Sequence, residues 1–186
     1  MPREMVTPLM RSRAKAVNFG IIYGIGAFSL AKNIGVTRAE AEEYIKTYLE
    51  HFSGVRRYMT EVVEKAKETG YVETLFGRRR YLPELSSSNF NLRSFGERVA
   101  MNMPIQGTAA DIIKIAMIRV GHRLEREKLR ARLILQVHDE LLVEAPQEEA
   151  ELVRQLLTQE MEQAIHLSVP MVAEAAVGKT WYEAKA

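Results

Sequence analysis

Arg11, Lys15, Phe19 and Tyr23 recur at four-residue intervals, and few backbones put such a series to use. On an α-helix each step of four turns the side chain by about 400°, so the four share one face fanning through about 120° and running about 18 Å. The chemistry changes in order along that face, from two cations to two aromatic rings. A guanidinium fork and an ammonium point charge suit phosphate oxygens, and a flat ring can stack on a base or sugar. The length suits an extended nucleotide. The same spacing also fits a plain amphipathic helix, with its rings in a core and its bases in water. Gly20 and Gly24 argue against the plain version, because each costs a helix interior about 1 kcal/mol relative to alanine. Their missing side chains let another surface come close beside the rings.

Local signals outline the rest. Thr7 is a suitable N-cap and Pro8 a suitable first helical residue, so a helix is predicted over 8–24. Gly24, Gly26 and Gly35 punctuate the turns after it. Thr37 with Glu40 forms a capping box. It opens a helix whose apolar stripe is Ala41, Tyr44, Ile45, Tyr48, Leu49 and Phe52. Ser53-Gly54 breaks that helix, and another runs to about Gly70. Residues 71–83 read as a short hairpin or extended arm, and 91–128 as a helical region interrupted near Pro104 and Gly107. Two strands hinged at His138-Asp139 are expected over 132–145, ended by Pro146. An amphipathic helix carrying Val153, Leu156, Leu157, Met161, Ala164 and Ile165 comes next, and 171–177 is a last strand candidate. The order gives an α+β fold: a helical lobe over about 1–83, then a mixed lobe over 84–186 with a small antiparallel sheet and packed helices.

Composition bounds the function. The 186 residues are 47% apolar and 27% charged, as in an ordinary globular chain. No cysteine is present, which removes disulfides and thiolate metal sites and fits a reducing cytoplasm. No apolar run approaches the roughly 20 residues of a membrane span. The net charge of +2 is small, but the charge is polarised. Arg3, Arg11, Arg13, Lys15 and Lys32 face only Glu4 in residues 1–33, while 140–163 holds seven glutamates and one base, Arg154. The acidic stretch reads best as solvated helix faces.

His138-Asp139-Glu140 lies between the apolar runs 133–137 and 141–143. Charges in such a setting are costly unless paired or metal-bound. Phosphoryl transfer by two divalent ions needs hard carboxylate oxygens, and a hairpin turn presents an aspartate rigidly. An ordinary polar turn has the same composition.

The 11–24 segment, Arg11-Ser-Arg-Ala-Lys15-Ala-Val-Asn-Phe19-Gly20-Ile-Ile-Tyr23-Gly24, resembles the fingers-helix motif of the family A DNA polymerases. Gln136-Val137-His138-Asp139-Glu140-Leu141 is similar to their palm motif. Two further stretches, 74–81 and 102–111, resemble segments typical of the family, so the likeness runs from about Thr7 to Tyr182. It implies that Arg11 and Lys15 bind the incoming deoxynucleoside triphosphate, that Phe19 packs on its sugar and base, and that Tyr23 lies at the template-base position. Phe19 in place of tyrosine implies discrimination against 3′-deoxy nucleotides. Asp139 becomes a catalytic metal ligand in a two-ion Mg²⁺ site, with Glu140 an accessory carboxylate and Lys15 a catalytic cation. His138 contacts the primer end, and Asn102, Gln106, Gln136 and Arg98 approach the primer–template DNA. Minor-groove acceptors are common to all base pairs, so such contacts read pair shape rather than sequence. Arg78 to Arg80 fit either a phosphate grip or a solvated basic turn.

The family's other catalytic aspartate comes from an earlier palm strand beginning Asp-Tyr-Ser. Here only Asp111 and Asp139 are present, and Asp111 falls in a helical run at a structural position. The resemblance therefore implies the C-terminal half of a polymerase core, fingers plus later palm. It would be inactive alone and completed by an N-terminal polymerase fragment carrying the missing strand and thumb. Two other readings compete: a fragment of a phage-type single-subunit RNA polymerase, disfavoured by Phe19-Gly20 and by the run after Glu140, and a non-catalytic module binding nucleotide or DNA.

Overall fold

Thr7 is extended and its hydroxyl accepts from the Met10 amide, so helix α1 begins at Pro8 and runs Pro8–Ile22. The structure, a computed structural model, describes residues 2–185. Tyr23 closes α1, and Gly24 comes next with φ +72°. The chain then re-enters helix as α2, Ala27–Ile34, which Gly35 ends in the left-handed conformation. The Thr37–Glu40 capping box is present and opens α3, Arg38–His51. Phe52 separates α3 from α4, Ser53–Thr69, which ends on left-handed Gly70.

The arm after α4 is a hairpin, β1 Tyr71–Glu73 antiparallel to β2 Arg79–Tyr81. Arg79 pairs with Glu73 at 2.6 Å and its guanidinium stacks on the Tyr71 ring. Helix α5 spans Phe90–Arg126 without a break, which corrects the expected interruption near Pro104 and Gly107. Pro104 removes one helical donor, yet packing on either side holds the helix. The Tyr58 hydroxyl of α4 donates to the Met101 carbonyl at 3.0 Å, and Ala100 is fully buried.

The second sheet is β3, Arg132–Val137, antiparallel to β4, Glu140–Glu144, with a bulge between Leu133 and Leu135. Helix α6 then covers Ala150–Glu162, and α7 is one turn, Trp181–Ala184. The predicted strand over 171–177 does not form. Its residues alternate suitably, but a strand needs a neighbour to bond with, and β3 pairs only with β4 among the described residues. The Ala173 amide instead donates to the Glu162 carboxylate.

By packing, the chain divides into 1–106 and 107–186, the division falling inside α5. Residues 84–106 thus pack with the helical part rather than with residues 107–186. The first unit has two apolar clusters: Leu30, Ala31, Ile34 and Ala41, and Ala66, Val72, Leu82, Leu85 and Ala100. The α3 stripe contributes less than its pattern suggests, since Tyr44 and Phe52 remain half exposed. In the second unit Ala116, Val120 and Leu124 of α5 pack with Leu141 of β4 and with Val153 and Leu156 of α6. No described helix is long and apolar enough to cross a membrane.

Gly24 carries a specific demand. A Cβ there would lie 2.4 Å from Met101 Cε and 3.3 Å from Arg98 Cγ, on a backbone with positive φ. Gly24→Ala should lower the stability of this unit by at least about 1–2 kcal/mol from the backbone conformation alone. Gly121 meets nothing within 4 Å and lies inside α5, so Gly121→Ala should stabilise by up to about 1 kcal/mol. Urea unfolding followed by circular dichroism measures both, and equal shifts of the same sign would contradict this packing.

Candidate nucleotide and nucleic-acid site

The α1 face is built as the spacing predicts. Arg11, Lys15 and Phe19 are exposed and Tyr23 is half-buried. Lys15 Nζ lies 5.8 Å from the Phe19 ring centre, and the Phe19 and Tyr23 rings are 6.2 Å apart at 35°. Cations and rings therefore form one continuous strip. Among the described residues no carboxylate pairs with Arg11, Arg13, Lys15 or Lys32. The helix is anchored through Ala16 and Val17, which meet the α2–α3 cluster, and through Asn18, which accepts from the Tyr48 hydroxyl at 2.5 Å. The two glycines act on different neighbours. Gly20 makes room for Ile25, and Gly24 lets the end of α1 sit on α5 at Arg98 and Met101.

Arg98, Asn102 and Gln106 are themselves four apart on α5 and so share a face. Arg98 is exposed and donates to Ser94 Oγ at 3.0 Å, Asn102 is half-buried, and Gln106 is exposed. Asn102 Oδ1 is buried and meets no donor among the described residues. This row of polar side chains belongs to the same unit as α1.

In the second unit the β3–β4 turn consists of His138 and Asp139, with His138 at φ +52°. Asp139 is exposed at its tip, not enclosed by the flanking apolar runs. Gln136 Nε2 donates to the His138 carbonyl at 2.6 Å, so Gln136 braces the turn from β3. Glu140 Oε1 lies 2.8 Å from Lys185 Nζ. That ammonium, with smaller contributions from the Trp181 indole and His138, holds the Glu140 carboxyl below the usual carboxylate range. Asp111 is buried within α5, as a structural residue would be.

The acidic stretch is largely neutralised by basic residues of the same unit. Glu148 and Glu149 meet Arg130, Glu151 meets Arg154, and Glu160 meets Arg123 at 3.1 Å. Glu151 is pushed down to about 2, first by the Arg154 guanidinium. The solvated-face reading of these glutamates is refined accordingly: they are surface groups, most of them with a basic partner.

Residues 1–183 match the family model described as DNA polymerase family A. The chain belongs to DNA polymerase family A. It is 58% identical over 182 residues to DNA polymerase I of Bacillus caldotenax and 56% identical over 183 residues to that of Bacillus subtilis, covering 98% of this chain in both cases. It spans about a fifth (21%) of the length of either relative. Among solved structures, the POL domain of Pol1 from M. smegmatis, in complex with DNA primer-template and dNTP, superposes with a TM-score of 0.95 at 44% identity. All of this chain and 33% of that one are covered.

Family A polymerases generally use divalent metal ions, and the donors here fit that need in part. Asp139 offers exposed hard oxygens, whereas the Glu140 carboxylate is held by Lys185. Among the described residues no group of three or more His, Asp or Glu side chains can hold a metal ion. Asp139 alone supplies fewer oxygens than such an ion needs, and no other described residue joins it in a metal-binding group. Sequence reasoning missed Lys185 and Trp181 altogether, although Thr180 with Glu183 three residues on has the form of a helix start.

Because its folded value is depressed, the Glu140 carboxylate favours the folded turn at neutral pH. That contribution is lost as pH falls from the ordinary glutamate range through the depressed value. Carboxyl ¹³C titration should find Glu140 below the ordinary range, and Lys185→Met should raise its midpoint. A midpoint indifferent to Lys185→Met would contradict the ion pair.

Proposed function

We propose that this chain is the fingers and later-palm portion of a DNA-directed DNA polymerase. In this reading 1–83 acts as fingers and 84–186 as partial palm. Arg11 and Lys15 take the phosphates of an incoming deoxynucleoside triphosphate, and Phe19 and Tyr23 take its sugar, its base and the template base. Arg98, Asn102, Gln106, Gln136 and His138 contact primer–template DNA. The observation that carries the reading is the α1 strip itself, two cations with no carboxylate partner among the described residues beside two accessible rings. A helix face whose charge is left uncompensated is suited to a polyanion.

Asp139 is the residue that would hold a divalent ion, Mg²⁺ in this proposal. Such an ion supplies charge neutralisation during nucleotidyl transfer. Lys15 assists at the phosphates, and Glu140 serves beside Asp139 as an accessory carboxylate. The remaining ligands come from an N-terminal polymerase fragment with the first palm strand and thumb. The half-exposed Ile134 and Leu135 on β3 favour such a partner.

Primer extension assayed with purified chain and Mg²⁺ should give no product. Mixing with the complementary polymerase fragment should restore synthesis, and Asp139→Ala should remove it again. Extension by the chain alone, sensitive to Asp139→Ala, would overturn the two-piece reading. In the reconstituted enzyme, Lys15→Met should raise the KM for dNTP or lower kcat by roughly 10- to 100-fold, the loss of one to two charge-assisted hydrogen bonds. Phe19→Tyr should increase dideoxynucleotide incorporation, and an unchanged ratio would remove Phe19 from sugar selection.

A further inference from the structure

The single turn of α7 is more firmly built than its length suggests. Thr180 Oγ1 accepts from the Glu183 amide at 3.3 Å, and Glu183 Oε2 accepts from the Lys179 amide at 2.8 Å. Gly178 lies against the turn so closely that a Cβ there would meet the Ala184 nitrogen at 2.6 Å. From this base Lys185 Nζ sits 5.5 Å from the centre of the Trp181 ring and 2.8 Å from Glu140 Oε1. One cation thus touches both the aromatic face of its own turn and the first residue of β4.

Glu140 pairs across the turn with Val137 and is the chain neighbour of Asp139. On the β3 side, Gln136 fixes the His138 carbonyl. The turn is therefore held from both ends, by an amide on one strand and an ion pair on the other. Glu140 and Lys185 are both partly exposed, with side chains 39% and 60% accessible. A pair of this kind adds little to global stability, so its effect is local: it decides where the carboxylate beside Asp139 points.

We propose that α7 and Lys185 clamp the His138–Asp139–Glu140 turn, with Lys185 and Trp181 as positioning residues acting through Glu140. The clamp is a property of the folded chain; only its effect on nucleotidyl transfer rests on the polymerase reading.

Two measurements on the full chain test the clamp without any activity. Trp181 is the sole tryptophan, so acrylamide quenching of intrinsic fluorescence reports on its environment. Amide hydrogen exchange by NMR reports on the turn. Lys185→Met and Glu140→Gln should each speed exchange at His138 to Leu141 by about two- to fivefold, the signature of local opening. Each should also increase quenching of Trp181. The double variant should exceed neither single one, and Lys185→Arg should restore slow exchange. Wild-type exchange rates in Lys185→Met, with circular dichroism unchanged, would overturn the clamp. In the reconstituted enzyme, Lys185→Met should lower kcat about tenfold with the KM for dNTP unchanged, as for an interaction that matters in the reacting geometry, and Lys185→Arg should recover it. A changed KM with intact kcat would reject the positioning role. Absence of extension by the wild-type pair would reject the polymerase reading while the exchange result still decides the clamp.

Discussion

The pairing of β3 with β4 across a two-residue turn is the constraint on which the acidic end of the molecule depends. Leu141 is buried against α5 and α6, and strand side chains alternate between faces. With Leu141 turned inward, Glu140 must point to the other side of the sheet. A register slip of one residue would drive the glutamate into the core and push the leucine out. The apolar core thus fixes the direction of a charged side chain that it does not touch. A two-residue link also demands an unusual backbone. His138 supplies it at φ +52°, at a cost of about 1–2 kcal/mol for a residue with a Cβ. Strain of this kind persists where the surroundings over-determine the geometry, and here the ladder from Arg132 to Glu144 does so.

Charge is partitioned by the same logic. Five glutamates, Glu140, Glu148, Glu149, Glu151 and Glu160, are held by Arg123, Arg130, Arg154 and Lys185, all within the second unit. The α1 cations have no such partners among the described residues, although α3 next in the bundle is rich in glutamate. Glu42 and Glu43 engage Arg38 and Lys46 on their own helix instead. Each of these pairs is weak in water, and no α3 carboxylate pairs with Arg11 or Lys15 among the described residues. The result is a local positive strip on a chain with a net charge of only +2, which composition alone would not disclose.

Local chemistry is the part of this structure that is legible in the sequence. Thr7-Pro8, the Thr37–Glu40 box and Gly70 mark helix ends by satisfying or redirecting a few backbone groups, and each does so in the structure. Both hairpins are readable from strand-like runs around a turn. Errors arise where distant packing overrides a local signal. Pro104 reads as a breaker, yet α5 continues because both of its ends lie in apolar clusters. Residues 171–177 have the alternation of a strand but no described neighbour to bond with. Helix α2 escapes sequence reasoning, since its eight residues hold too few turns for periodicity to emerge. At the proposed site, motif order is what singles out Lys15 and Asp139. The hold of Lys185 on Glu140 joins residues far apart in the chain, and no spacing rule reveals it.

The fold and the chemistry of this chain have different requirements. Each unit encloses an apolar cluster of its own. A divalent ion asks for about six oxygen ligands in a compact shell, and one exposed aspartate supplies at most two. Lys185 narrows the shortfall in a particular direction, because by engaging Glu140 it leaves Asp139 as the free carboxylate of the turn. In the proposed reading, a partner that completes the shell would approach the tip of the hairpin rather than its flank. The edge of β3 left unpaired among the described residues, with Ile134 and Leu135 half exposed, runs to that tip. A strand added there would cover apolar surface and could bring a second carboxylate beside Asp139 in the same step. In the polymerase reading proposed above, docking of such a strand and completion of the metal site would be a single event.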